Sequence, residues 1–184
     1  QNGKFVVDPS QVKHGEFVRK AGTQCQKGQK VLLIGTKISS GTVALLASLG
    51  IQEVEVYEKP KVGVILTGDE VISSDQELQP GQIYDANGPM LSTALTQLGI
   101  DVEFVEKVKD EAEAVENAIK SLLEKVDILI LSGGISVGDY DFVRPALQNL
   151  GVKELFYKVA QKPGKPLYAG TLESKTIFAL PGNP

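Results

Sequence analysis

Residues 126–131 read VDILIL, a run in which five of the six side chains are apolar, and the polar stretch SGGISVGDYD follows at once. A strand that is apolar on both faces is typical of a parallel sheet covered by helices. From residue 61 onward, strand-like and helix-like segments alternate, as parallel strands require. The sequence therefore predicts an α/β fold of three layers, with a mostly parallel sheet and helices on both of its faces.

Two more strands are predicted in KVGVILTGDE (residues 61–70) and DVEFVEKV (residues 101–108). The segment between them predicts a helix, with Asn87 as the N-cap, Pro89 in the first turn and Gly99 as the terminator. These signals place one helix between two parallel strands.

A second helix is predicted after the second strand, with Asp110 as a candidate N-cap and Glu113 at the capping-box spacing. A third helix follows the glycine-rich stretch and should begin at about Asp141, because Pro145 is tolerated only near a first turn. Residues 153–184 predict further strands joined by glycine and proline turns.

The first sixty residues have a weaker pattern. They predict a short strand in KVLLIG, a helix over residues 42–49 ended by Gly50, and a strand that ends at Pro60. Both chain ends suggest a piece of a longer protein, since the chain opens on Gln1 and stops at PGNP. We therefore expect residues 1–60 to be a partial N-terminal segment, an appendage to an α/β domain over residues 61–184.

Composition excludes several kinds of function. The net charge of −4 argues against a general nucleic-acid binder. No apolar run approaches the roughly 20 residues that span a bilayer, and no signal peptide is recognisable, so we expect a cytoplasmic protein without membrane contact. A single cysteine, Cys25, excludes an internal disulfide, and a single histidine, His14, excludes a histidine pair. Any chemistry must use carboxylates, lysines, hydroxyls, backbone amides or a hard metal.

Three polar loops follow predicted strands: TGDE, SGGISVGDYD and PGNP. In open parallel sheets, ligands bind beyond the carboxyl ends of the strands, where these loops should meet. Gly133 and Gly134 would let backbone amides face an anion, although a glycine-rich loop after a buried strand is as often only a tight turn. The stretch matches neither the dinucleotide-binding nor the Walker pattern.

The acids near these loops indicate a cation site. Glu70, Asp110 and Asp141 would repel one another unless they shared a hard metal such as magnesium, with phosphate oxygens completing its shell. The alternative is that Asp110 and Asp141 cap helices and that Glu70 is a solvated turn residue.

Three lysines bracket the proline-stiffened turn of KVAQKPGKP: Lys158, Lys162 and Lys165. They offer positive charge to a phosphate or another oxyanion, or else form a solvated basic loop. Prolines on both sides of Gly164 restrict the loop, which favours a positioned site.

TGDE, SGGISVGDYDF, KPGKP and PGNP, in this order and at these separations, resemble the molybdopterin molybdenumtransferase family, meaning MoeA and the gephyrin E domain. The resemblance covers residues 61–184 and extends more weakly into the first sixty. It implies the fold shared with molybdopterin adenylyltransferases and CinA-type proteins. It also implies insertion of molybdate into adenylylated molybdopterin with release of AMP, with Mg²⁺, by a homodimer that binds a small pterin substrate.

The resemblance also implies site residues. Catalytic roles go to Glu70, Asp110, Asp141, Lys158 and Lys162, and metal binding to Glu70 and Asp141. Cofactor binding goes to Thr67, Gly68, Asp69, Ser132, Gly133, Gly134, Ser136, Gly138, Lys165, Pro181, Gly182, Asn183 and Pro184.

One departure from the family concerns an acid that usually follows its VR sequence, where this chain reads Gly22, Thr23 and Gln24. Two other functions stay open. One is an adenylyltransferase-like or CinA-like nucleotide enzyme on the same fold, and the other is a non-catalytic binding or assembly module.

Overall fold

The computed structural model describes residue 3, residues 8–135 and residues 141–183. The chain forms two compact units, Gln1–Val56 and Tyr57–Pro184. The domain division at residues 60 and 61 stays a prediction. No helix in the described ranges is long and apolar enough to cross a bilayer.

Among its described residues, the first unit contains a 3-10 turn at Pro9–Gln11 and one helix, α1 (Ser40–Ser48). The Ser39 hydroxyl caps α1 by accepting a hydrogen bond from the Thr42 N–H, and Gly50 follows the helix with a positive φ of 73°. The predicted helix is confirmed, but residues 28–35 and 51–60 contain no strand. The two strand predictions there are wrong, because a strand needs a neighbour to pair its backbone groups and these segments have none.

The second unit is built on a six-stranded sheet. Its strands are β1 (Val62–Thr67), β4 (Val102–Val108), β5 (Ile128–Ser132), β6 (Lys153–Tyr157), β7 (Tyr168–Leu172) and β8 (Lys175–Leu180). Their order is β4-β1-β5-β8-β7-β6, in which the first four are parallel and β7 and β6 are antiparallel to their neighbours. Two short strands, β2 (Val71–Ile72) and β3 (Ile83–Tyr84), form a separate parallel pair. The mostly parallel sheet is confirmed.

Three helices cover the two faces of this sheet: α2 (Asn87–Gln97), α3 (Ala112–Leu123) and α4 (Val143–Asn149). On one face, Leu91 and Leu95 of α2 pack against a cluster that contains Val64 of β1. On the other face, α3 and α4 join a larger cluster that contains Ile65 of β1 and Leu129 of β5. Alternate residues of β1 therefore face two cores, which is why all six of its residues are buried.

The start of α2 differs from its predicted form. Asn87 is the first helical residue, and Ala86, which has no capping side chain, holds the N-cap position. The Asp85 carboxylate accepts the Gly88 N–H instead, at 2.9 Å. At the other end the prediction is right: Gly99 has a φ of 75°, and the Ile100 N–H reaches back to the helix at 3.0 Å, closing a Schellman turn.

The predicted capping box of α3 is wrong. Glu111 precedes the helix as its N-cap, with no side-chain cap, so Asp110 lies outside the helix and its carboxyl group is free for other contacts. The helix α4 begins at Val143, two residues after the predicted start at Asp141, with Pro145 in its first turn. Both acids therefore lie in loops at the carboxyl edge of the sheet.

We predict that Leu129→Ala lowers the free energy of unfolding by about 2–5 kcal/mol, because Leu129 is fully buried between sheet and helices and its truncation leaves a cavity. Urea denaturation measures this. The matched control is Leu155→Ala on β6, where the leucine is 58% exposed and a change within about 0.5 kcal/mol is expected. Equal losses in the two variants would contradict the location of the core.

Candidate functional site

The ends of three neighbouring parallel strands bring the site together. Leu66 of β1 pairs with Ser132 of β5, which pairs with Leu180 of β8. Because the strands run in the same direction, the loops that follow them, TGDE, SGG and PGN, leave the sheet side by side.

These loops surround two cavities. The polar cavity, of about 300 Å³, is lined by Thr67, Glu70, Asp85, Asp110, Gly133 and Gly134, among others. The apolar cavity, of about 350 Å³, is lined mainly by Met90, Leu91, Pro163, Leu167, Leu180 and Pro181. Asn87, Ser132 and Asn183 line both cavities, so the two form one trough.

Asn87, the first residue of α2, connects that helix to the end of β5 and to the loop after β8. Its Nδ2 donates one hydrogen bond to Ser132 Oγ at 2.6 Å and another to the Gly182 carbonyl at 2.8 Å. Its Oδ1 is buried and has no partner among the described residues. Local sequence rules predict that Asn87 caps a helix, so nothing in the sequence indicated that it bonds to Ser132 and Gly182. The sequence likewise gave no indication that Asp85 lines the polar cavity.

Asp110 lies beside the acids of TGDE. Its backbone N–H donates to Asp69 Oδ1 at 3.4 Å. Burial, and then the charges of Glu70 and Asp69, raise the pKa of Asp110, while the Thr67 hydroxyl opposes the shift. Within the described ranges, Asp110 Oδ1 and Thr67 Oγ1 are both buried without a completed hydrogen bond.

Asp141 belongs to a different group of charges. Burial raises its pKa, and the Arg144 backbone N–H and the positive charges of Arg144 and Lys158 oppose the shift. Two cations lie over the Tyr157 ring: the Arg144 guanidinium carbon is 4.5 Å from the ring centroid and Lys158 Nζ is 4.7 Å from it. Glu154 fixes Arg144 through a 2.9 Å ion pair.

Glu70 and Asp141, the predicted metal pair, differ in their position relative to the polar cavity. Glu70 and Asp110 both line the polar cavity, and Asp141 is not among its described lining residues. The part of the chain that the structure describes contains no cluster of three or more acid, histidine or cysteine side chains with ligand geometry. Metal binding at these residues stays a prediction.

The glycine-rich loop is shaped largely by close packing. The Gly133 N–H donates to the Leu180 carbonyl at 3.1 Å, so the prediction that this amide faces an anion is corrected. A Cβ on Gly133 would lie 2.6 Å from the Thr67 carbonyl oxygen, and one on Gly134 would lie 2.9 Å from Val143 Cγ2. Both glycines have positive φ angles and are needed for this approach. The Gly134 N–H has no acceptor in the described ranges and remains the amide available to a ligand.

The remaining predicted site residues fall into three groups: those that line the trough, those near the proline turn, and those outside the described residues. Several line the trough, namely Thr67, Gly68, Ser132, Pro181, Gly182 and Asn183. Lys158, Lys162 and Lys165 have exposed side chains near the proline turn, whose Pro163 and Gly164 line the apolar cavity. Ser136, Gly138 and Pro184 lie outside the described residues.

The family model and the curated relatives that match this chain all carry molybdopterin-related names. Residues 63–184 match the family model described as "Probable molybdopterin binding domain". The molybdopterin molybdenumtransferase of Bacillus subtilis is 37% identical over 185 residues, which is 100% of this chain and 43% of that protein. The corresponding enzyme of Haemophilus influenzae is 40% identical over 172 residues, 94% of this chain and 42% of its own length. The chain thus spans about two fifths of these curated relatives.

Solved structures of similar proteins share the fold of this chain. A molybdopterin biosynthesis MoeA protein from Pyrococcus horikosii superposes with a TM-score of 0.67 at 35% identity, covering 82% of this chain and 37% of that one. The CinA protein of Thermoplasma acidophilum has a TM-score of 0.54 at 18% identity, covering 68% and 90%, and shows a shared fold alone.

We predict that Gly133→Ala lowers the free energy of unfolding by about 2–5 kcal/mol, because the new methyl group meets the Thr67 backbone and φ stays positive. The matched control is Gly151→Ala, which has a positive φ of 79° but open space around its Cβ. It should cost about 1 kcal/mol from backbone strain alone. Equal costs in urea denaturation would contradict the close approach to Thr67.

The pKa of Asp110 gives a further prediction with a definite sign. Since this pKa is raised above 3.8 in the folded protein, folding stability should fall as pH rises from that value through the folded pKa. The advantage of Asp110→Asn over the unmodified protein in urea denaturation should therefore grow across that range. Carbon-13 NMR titration should find a lower Asp110 pKa in Glu70→Gln, because a neighbouring charge is gone. A stability difference that does not change with pH would contradict the assignment.

Proposed function

Because the chain belongs to the family of molybdopterin-binding domains, which matches residues 63–184, we propose that it acts in molybdenum cofactor biosynthesis. The proposed reaction inserts molybdate into adenylylated molybdopterin and releases AMP. Support comes from the relatives named molybdopterin molybdenumtransferase and from the MoeA structure that superposes on the chain. By the same resemblance, we propose a homodimer that acts in the cytoplasm on a small pterin substrate.

One observation carries this proposal. Three residues that line the polar cavity, Thr67, Asn87 and Asp110, each carry a buried oxygen that has no partner in the part of the chain that the structure describes. A buried acceptor without a donor or cation costs stability, so such atoms in a cavity indicate a place for a ligand. A phosphate-bearing substrate that arrives with a hard cation would meet this requirement.

Magnesium fits the acids of the polar cavity. Glu70 and Asp110 supply carboxylate oxygens, Asp69 lies beside them, and Asp110 Oδ1 lacks a partner among the described residues. Carboxylates are the ligands that magnesium takes in proteins, and the bound ion would neutralise phosphate charge on the substrate. The resemblance implies that Asp141 is also a metal ligand. Asp141 is not among the described lining residues of the polar cavity, so this part of the proposal rests on the resemblance alone.

The remaining groups suit the anionic parts of the substrates. The Gly134 N–H and the Ser132 hydroxyl lie on the loop that borders both cavities and can donate to a phosphate oxygen. Lys158, stacked on Tyr157 near Asp141, offers a positive charge to molybdate or to phosphate, and Lys162 and Lys165 add exposed positive charges on the same loop. In this division of roles, the acids hold the cation while the lysines and amides bind oxyanions.

The decisive experiment supplies adenylylated molybdopterin, molybdate and Mg²⁺, and follows AMP release together with reconstitution of a molybdenum-free molybdoenzyme. Insertion supports the proposal. Conversion of molybdopterin and ATP to the adenylylated product would instead support the adenylyltransferase function. Binding of the adenylylated substrate without turnover, by this chain and by a protein of the relatives' full length alike, would support a binding module.

We predict that Glu70→Gln lowers molybdate insertion by roughly 100-fold or more, because it removes a charge from the proposed cation site while preserving side-chain shape. Higher Mg²⁺ concentrations should restore part of the rate. Glu77→Gln is the matched control, since Glu77 is exposed in the loop between β2 and β3. Unchanged insertion in Glu70→Gln would contradict the role of the polar cavity.

A further inference from the structure

The residue that follows β6 has an unusual backbone. Lys158 has a positive φ of 69°, a left-handed conformation that lysine rarely adopts. Its N–H donates to the Leu167 carbonyl at 2.8 Å, and the N–H of Val159 donates to the Lys165 carbonyl at 3.0 Å. These hydrogen bonds hold the backbone in a strained form of the kind that is common at functional sites.

The direction of the strands gives the location of Lys158. β6 and β8 run in the same direction, because each is antiparallel to β7. Tyr157, the last residue of β6, pairs with Tyr168, which pairs with Ala179 next to the end of β8. Lys158 therefore leaves the sheet at the same edge as the loops that follow β1, β5 and β8.

The side chain of Lys158 lies over the ring of the preceding residue. Neighbouring residues of an extended strand point to opposite faces, so Tyr157 and Lys158 would diverge if the strand continued. The left-handed backbone ends this alternation, and Lys158 Nζ lies 4.7 Å from the centroid of the Tyr157 ring. That separation is within the range of a cation–π interaction.

The Tyr157 ring also contacts a group that is held in place. The guanidinium carbon of Arg144, on α4, lies 4.5 Å from the ring centroid. Glu154, earlier on β6, accepts hydrogen bonds from Arg144 Nε at 2.9 Å and from Arg144 Nη2 at 3.3 Å. Two such hydrogen bonds fix the plane of a guanidinium group, so Arg144 supports the ring.

An aromatic ring differs from a carboxylate as a partner for lysine. The ring attracts the ammonium group without neutralising its charge, so that charge remains available to an oxyanion. Among the described residues, Arg144 forms an ion pair with Glu154, whereas Lys158 forms none.

We propose that Tyr157 is a positioning residue that holds the ammonium group of Lys158 at the carboxyl edge of the sheet for an oxyanion of the substrates. Arg144 and Glu154 support the ring, and the left-handed backbone of Lys158 directs its side chain onto that ring. The inference rests on the proposed function, which gives Lys158 a molybdate or phosphate oxygen to bind. Tyr157 acts through Lys158 and needs no contact with the substrates.

The first measurement needs no ligand. In proton NMR, the ring current of Tyr157 should shift the ε-methylene protons of Lys158 upfield. Tyr157→Phe should keep this shift and Tyr157→Leu should abolish it, while the ε-methylene protons of Lys162 stay unchanged in both variants. An unshifted Lys158 signal in the unmodified protein would overturn the inference alone, and this result decides the matter even if Tyr157→Leu does not fold.

The second measurement is a double-mutant cycle. Calorimetric titration with Mg²⁺ present gives Kd for molybdate and Kd for adenylylated molybdopterin. Tyr157→Leu should weaken binding of the ligand that Lys158 contacts by about threefold, the size expected of an exposed cation–π contact, and Tyr157→Phe should not. The loss should disappear in a Lys158→Met background and persist in Lys162→Met, the matched control. The ligand whose Kd rises shows whether Lys158 binds molybdate or phosphate.

The outcomes separate the inference from the proposed function. An equal loss in all backgrounds would show a merely structural role of Tyr157 and overturn the inference. Unchanged affinity for both ligands in Tyr157→Leu would also overturn it and leave the proposed function standing. Binding of neither ligand by the unmodified protein would overturn the proposed function together with the inference.

Discussion

Everything at the carboxyl edge of this sheet depends on the parallel pairing of β1, β5 and β8. The register joins Leu66 to Ser132 and Ser132 to Leu180, so three chain segments far apart in sequence end at one level. Antiparallel neighbours would have sent alternate loops to opposite edges. The Asn87 amide then donates to Ser132 at the end of β5 and to Gly182 after β8, which ties α2 to two of these three segments.

Burial is what made the sheet and its helices predictable from the sequence. VDILIL has to be covered on both faces, and the amphipathic helix α3 supplies Val115, Ile119 and Leu122 for one of them. The same reasoning failed in the first unit, where Leu33 and Ile34 suggested a strand but remain 70% and 83% exposed. An apolar run predicts a strand only when another strand lies beside it to pair its backbone, and no local pattern reports that neighbour.

The site residues were harder to predict because the same side chains can either cap a helix or make contacts within a site. Asn87 and Asp110 are both good N-caps by propensity, yet neither caps its helix. The Asn87 side chain donates to Ser132 instead, and the backbone N–H of Asp110 donates to Asp69, so tertiary contacts rather than capping decide both positions. Likewise, sequence order could not tell that Asp110 would line the same polar cavity as Glu70. Functional sites are where local preference and the final structure are expected to disagree.

Several features of the trough lower the stability of the folded chain, and their presence supports the interpretation that the trough is a preformed site. Gly133 packs so closely on Thr67 that no side chain fits between them, and both the Thr67 hydroxyl and Asp110 Oδ1 stay buried without a partner among the described residues. Asn87 Oδ1 is in the same state on a third element. A chain selected only for stability would satisfy or remove such atoms. The three oxygens belong to β1, α2 and the loop before α3, so the unsatisfied groups lie on elements that only the tertiary fold brings together.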